Sequence, residues 1–152
     1  MRPGRSSLRV LVVEDEALVS LFLTEVLNDL GHEVVGMAVS KQGALRLAAS
    51  RAADVALIDI GLTGEGDGIE VAVELRERHG LPALLMTGAA HAAVRQRVDS
   101  ALPLGYLMKP YTELDVERAL TDAFAWISRP KSIIATEDAT ANATQELSTI
   151  AG

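Results

Sequence analysis

Five short, predominantly apolar runs stand at 8–13, 33–38, within the stretch 54–62, at 83–87 and at 104–108, and the third, of Val, Ala, Leu and Ile, is bounded by turn residues. Runs of this length and aliphatic content predict buried strands of a parallel sheet. Between them the apolar period lengthens to that of helices. Leu18, Phe22, Val26 and Leu30 recur at fourfold spacing, with Leu23 and Leu27 beside them, and Gly31 closes the helix. Ser40 caps a second helix at 42–51, which presents Ala44, Leu45 and Ala48 to the sheet. Asp67 caps a third that ends at Gly80, an alanine-rich fourth spans 89–98, and a fifth at 113–127 buries Leu114, Leu120, Phe124 and Ile127. Strict alternation of five strands and five helices predicts an α/β doubly wound architecture, a five-stranded parallel sheet with helices on both faces.

The 152 residues suffice for one domain with a full core, placed at 8–128, after a flexible N-terminus at 1–7. From 129 to 152 the apolar period stops. This stretch, rich in Thr, Ala and Ser, reads as a flexible or partner-docking tail, with Ile133, Ile134, Leu147 and Ile150 as its docking side chains. A formal charge of −7 argues against nucleic acid as a partner. The apolar runs are too short to span a membrane, no signal-peptide h-region follows the basic N-terminus, and there is no cysteine. The expectation is a soluble, cytoplasmic protein.

Parallel strands deliver the residues that follow them to a single edge of the sheet, where α/β folds bind their ligands. The first strand supplies Glu14 and Asp15, the third Asp59, the fourth Thr87 and the fifth Lys109. Each has an ordinary alternative: Asp59 could cap a turn, and Asp15 could cap the helix after it. Together they say more. Three clustered carboxylates repel one another unless a cation sits among them, and an oxygen-only set favours Mg²⁺ or Mn²⁺. A lysine and a hydroxyl opposite the metal complete a site for a small oxyanion such as a phosphoryl group. The loop Gly61-Leu62-Thr63-Gly64-Glu65-Gly66-Asp67-Gly68 is rich enough in glycine for its backbone to approach such a ligand closely.

Four motifs in order, Val12-Val13-Glu14-Asp15, Leu57-Ile58-Asp59, Met86-Thr87-Gly88 and Tyr106-Leu107-Met108-Lys109-Pro110, resemble those of the receiver domains of two-component response regulators, over residues 8–127. The resemblance implies a flavodoxin-like (βα)5 sandwich in which Asp59 takes a phosphoryl group from a histidine kinase. It further implies that Glu14, Asp15, Asp59 and the Gly61 carbonyl hold Mg²⁺ and that Lys109 contacts a phosphoryl oxygen. Thr87 and Tyr106 become the switch pair, and the Lys109–Pro110 bond is expected to be cis. One segment departs from the pattern: Leu102-Pro103-Leu104 stands where a Gly-Ala-acidic turn is usual before the fifth strand. His32, His79 and His91 are assigned ordinary surface roles, Phe124 and Trp126 a core or interface role, and Arg95 and Arg97 a solvated face.

The reading is therefore a single-domain response regulator that is phosphorylated and autodephosphorylates but is not otherwise an enzyme. Its partners would be a histidine kinase or phosphotransfer protein and a downstream protein, with no nucleic acid and no membrane. Dimerisation through the fourth helix, fifth strand and fifth helix would pair Arg95 and Arg97 with Asp115 and Glu117. Three alternatives stand beside it. A phosphate shuttle in a multistep relay would use the same residues. A phosphohydrolase with an aspartyl nucleophile would want an acid two residues after Asp59, where Gly61 stands, and a pseudo-receiver would have lost one of the acids or Lys109.

Overall fold

The computed structural model describes residues 7–62, 67–88 and 95–130, with backbone only at 95 and 96. The elements are β1 (Arg9–Val13), α1 (Ala17–Asp29), β2 (Glu33–Ala38), α2 (Lys41–Ser50), β3 (Val55–Asp59), α3 (Gly68–His79), β4 (Ala83–Thr87), α4 (Arg95–Ser100), β5 (Gly105–Met108) and α5 (Glu113–Ile127). Their strands form one parallel sheet in the order β2-β1-β3-β4-β5. That is the flavodoxin-like doubly wound order. The chain winds outward in opposite directions from β1 and β3, which leaves a crevice at the carboxyl ends of those two strands.

Side chains alternate across the strands and build a core on each face. Leu11, Val13, Ala56, Ile58, Ala83 and Leu85 face one side, where Ala44 of α2 and Val71, Ala72 and Leu75 of α3 meet them. Val10, Val12, Val55, Leu57, Leu84 and Met86 face the other, against Leu23, Val26 and Leu27 of α1 and Val116, Leu120 and Ala123 of α5. Every residue of β3 is buried. Truncating a central member such as Leu57 to alanine costs about 2–5 kcal/mol in cores of this kind.

Helix ends follow the expected chemistry at three sites. The Ser40 hydroxyl accepts from the Gly43 N–H at 3.2 Å, and Asp67 Oδ1 accepts from the Ile69 and Glu70 N–H groups at 3.1 Å each. Gly31 adopts φ 89 just past α1, the left-handed geometry that suits glycine there.

Other expectations need correction. Asp15 does not cap α1: Glu16 occupies that position without a side-chain cap bond. Of the fourfold stripe on α1, Leu18 and Phe22 stay exposed, because the sheet takes only its C-terminal part, with Val26 buried beside Leu23 and Leu27 and Leu30 packed against them. Leu114 on α5 is exposed for the same reason, with Val116 buried in its place. The fourth helix continues past 98 to Ser100, and the part of it expected at 89–94 lies outside the described residues. Arg97 is ion-paired with Asp67 rather than simply solvated. His32 is part-buried, with its Nδ1 accepting from the Leu8 N–H at 3.0 Å. Residues 1–6, most of the glycine loop (63–66), His91 and the tail at 131–152 also lie outside the described residues. Among the described residues no helix is long and apolar enough to cross a membrane.

Candidate functional site

Asp59 is the last residue of β3 and only 4% exposed. Its Oδ1 accepts from the Gly61 N–H at 2.9 Å, so the turn after the strand fixes the carboxylate plane. Its Oδ2 lies 3.1 Å from the Lys109 ammonium. Lys109 follows β5 and is held there by its own N–H, which donates to the Thr87 carbonyl at 2.7 Å. The Lys109–Pro110 bond is cis, as the resemblance implied.

Glu14 and Asp15 come from the end of β1, across the crevice. The backbone N–H of Glu14 donates to the Ala38 carbonyl at 2.9 Å, which extends the β1–β2 pairing by one step. Its side chain is 1% exposed. Oε1 accepts from the Glu16 N–H at 3.1 Å, whereas Oε2 is buried with no hydrogen-bond partner. One carboxylate oxygen from each of Glu14, Asp15 and Asp59 lies within 4.8 Å of the others. Burial above all, then the Asp59 charge, pushes the Glu14 carboxyl up to about 7, against opposing pulls from the Glu16 N–H and, more weakly, Lys109.

A buried carboxylate oxygen without a donor is costly unless something positive meets it. A divalent cation among these three acids would satisfy Oε2 and cancel the repulsion, and the all-oxygen donors suit a hard ion. The residues therefore fit such an ion.

Two further residues shape this site, Tyr111, which the sequence reading passed over, and Gly68, which it read only as part of the glycine loop. Tyr111, two residues beyond Lys109, has a buried hydroxyl with no hydrogen-bond partner. Burial first, then the charges of Glu14 and Asp59, raise its phenol to about 12. Its ring meets Phe22 of α1 with centroids 6.3 Å apart, which joins the site to the exposed side of α1. Gly68, the first residue of α3, is the other. A Cβ there would lie 2.1 Å from the Asp59 carbonyl oxygen and 2.6 Å from Ile60 Cα. The glycine pattern had suggested close approach of a ligand, but at Gly68 the close neighbour is the backbone of Asp59 itself.

Glu14, Asp15, Asp59 and Lys109 are thus brought together. Thr87 meets Lys109 through its backbone carbonyl, while its hydroxyl is engaged elsewhere. The Thr87 hydroxyl donates to the Gly88 carbonyl at 3.1 Å, and Tyr106 is half exposed on β5, its phenol raised by burial and by Asp99.

The family model of the response regulator receiver domain matches residues 10–121. The transcriptional regulatory protein PdtaR of Mycobacterium tuberculosis is 33% identical over 141 residues, which cover 93% of this chain and 67% of that protein. Among solved structures, the signal receiver domain of a modulated diguanylate cyclase from Desulfovibrio desulfuricans G20 aligns with a TM-score of 0.74 and 33% identity, covering 79% of this chain and 95% of that one. The REC domain of the PhyR response regulator from Erythrobacter litoralis aligns at 0.69 with 26% identity, over 82% and 95% of the two chains.

Proposed function

Because the chain belongs to the response regulator receiver domain family, we propose that Asp59 is its phosphoacceptor and that Glu14, Asp15 and Asp59, with the Gly61 carbonyl, hold Mg²⁺. The observation that carries the reading is the placement of one buried carboxylate, Asp59, between two further acids and a lysine. An aspartate oxygen attacks phosphorus, the new bond is Oδ–P, and the bond broken is that between phosphorus and the imidazole nitrogen of a phosphohistidine donor. The imidazole leaves with the electron pair and takes up a proton. Held by Glu14, Asp15 and Asp59, Mg²⁺ would supply positive charge beside the phosphoryl oxygens. Lys109 supplies a second positive charge on the Oδ2 side of Asp59, and the Gly61 N–H keeps the carboxylate oriented. Thr87, at the end of β4, turns its hydroxyl from Gly88 toward the new phosphoryl group, and Tyr106 answers that movement from β5.

The donor protein must bring its histidine to this edge. The exposed Leu18, Leu21 and Phe22 of α1 offer an apolar surface beside the site, continuous through Phe22 with Tyr111. An apolar surface next to a reacting carboxylate suits docking of a helical kinase or phosphotransfer domain. Signalling then proceeds by contact with a downstream protein. The test is transfer from a phosphohistidine protein: Leu18→Asp with Phe22→Asp should slow it while leaving labelling by a small phosphodonor in Mg²⁺ unchanged. Failure of the wild type to label with either donor would overturn the proposal.

A further inference from the structure

At the edge of the sheet opposite Asp59, an open apolar groove of about 360 Å³ lies between the amino ends of β4 and β5 and the carboxyl end of α5. Pro82, Ala83, Leu102, Leu104 and Trp126 line it, and Arg76 stands among them. Its two largest walls are left to solvent: Leu102 is 68% exposed and Trp126, the chain's one tryptophan, 44%. Leu102 is also held at φ 46, a left-handed conformation that leucine adopts only against steric resistance. The fold thus holds a bulky apolar side chain in a strained turn at the lip of an apolar groove.

We propose that this groove seats the chain's own segment 131–152, with Ile133 and Ile134 as the side chains that enter it. The reach is short. Helix α5 ends at Ile127, next to Trp126, and Pro130 lacks the N–H that would carry the helix onward, so the chain leaves the helix axis beside the groove. Ile133 follows Pro130 by three residues, a span of about 10 Å when extended. Charge agrees with the placement. The segment carries Lys131 against Glu137, Asp138 and Glu146, and Arg76 of the groove is a cation whose guanidinium is anchored on the Ser100 carbonyl at 3.3 Å. Tethering also favours the chain's own segment over a second copy, since a short linker holds its end at an effective concentration in the millimolar range, whatever the dilution.

The sole tryptophan reports occupancy directly. In the full-length protein, Ile133→Asp with Ile134→Asp should shift the Trp126 emission to longer wavelength and raise its quenching by acrylamide. Leu147→Asp with Ile150→Asp should leave both at wild-type values, and neither pair should alter the far-ultraviolet circular dichroism. A second measurement uses the absence of native cysteine. Leu102→Cys with Ile134→Cys should close an intramolecular disulfide under mild oxidation in dilute protein. An unchanged spectrum in the Ile133/Ile134 variant, protection of Trp126 that grows with protein concentration, or disulfides formed only between chains would each overturn the assignment.

Discussion

The Lys109 ammonium lies 3.1 Å from Asp59 Oδ2, so one of the three clustered acids of the site is paired with a cation from the end of β5. The same cis-linked segment carries Tyr111 over those acids. A lysine there balances part of the negative charge at rest, and under the proposed function it would meet a phosphoryl oxygen.

Lys109→Ala should therefore separate metal binding from phosphoryl transfer. The three carboxylates remain, so Mg²⁺ should bind at least as tightly as in the wild type. Transfer from a small phosphodonor should slow by roughly 10²-fold, the usual loss when one preorganised electrostatic group is removed. Equal loss of Mg²⁺ affinity and of transfer would instead mark Lys109 as a structural support.

Glu14 gives the site a pH signature. Its carboxyl stands at about 7 in the fold against an ordinary value of 4.5, chiefly through burial and then through Asp59. The folded, metal-free protein thus holds a proton that the unfolded chain has already released. The stability this group contributes is full below about 4.5 and is lost as the pH rises through about 7, at most roughly 3 kcal/mol in all. A bound cation needs the carboxylate deprotonated, so its stabilising effect should grow over the same window. Thermal midpoints in chelator and in Mg²⁺ should accordingly diverge with rising pH, and Glu14→Gln should remove most of that pH dependence. A Mg²⁺ effect that is flat with pH would contradict the assignment.

Gly68→Ala should damage fold and site together. The new Cβ would sit 2.1 Å from the Asp59 carbonyl, and a backbone neighbour cannot rotate out of the way. A loss of about 1–3 kcal/mol or more is expected, lowering the thermal midpoint by roughly 2–4 °C per kcal/mol. Phosphoryl transfer should fall even at temperatures where the variant remains folded. An alanine variant with wild-type midpoint and transfer would show that α3 shifts freely.

Thr87→Ala should leave phosphorylation in place and uncouple it from the response. Thr87 does not bond Asp59 at rest but spends its hydroxyl on Gly88, which leaves it able to turn. A phosphoryl group shifts the population only by its differential contact with two states, and ~2–3 kcal/mol would change their ratio about 30- to 150-fold. Sizing the protein with and without phosphorylation reads any dimerisation through α4, β5 and α5. If Thr87→Ala dimerises on phosphorylation as the wild type does, the Thr87–Tyr106 route fails. Within such a dimer Glu117 is the better candidate for a cross-copy pair, because Arg97 already meets Asp67 and Asp115 is engaged with Thr112 in its own capping box.

What the sequence disclosed and what it hid have physical causes. The sheet was legible because short apolar runs ending in Glu14, Asp59, Thr87 and Lys109 fix both the strands and the edge to which a parallel sheet delivers their ends. The buried faces of α1 and α5 were not, because Leu18 and Leu114 lie in the first turns of their helices, outside the part that the sheet covers, and hydrophobic period alone does not say how far along a helix that part extends. Asp15 was legible as a cap or as a ligand, and the structure excludes the cap, since Glu16 takes that position and Asp15 groups with Glu14 and Asp59. Tyr111 and Gly68 act through contacts across loops, with Phe22 and with the Asp59 backbone, that no local pattern announces. His32 looked like a surface residue because its backbone partner, Leu8, is 24 positions away.

The central claim, that Asp59 alone accepts the phosphoryl group with Mg²⁺ held by its neighbours, is tested most directly by intact-mass spectrometry after incubation with a small phosphodonor. The wild-type protein should gain a single phosphoryl group in Mg²⁺ and none in chelator, and Asp59→Asn should gain none under either condition. Efficient labelling of Asp59→Asn, or labelling of the wild type that is indifferent to chelation, would contradict the account.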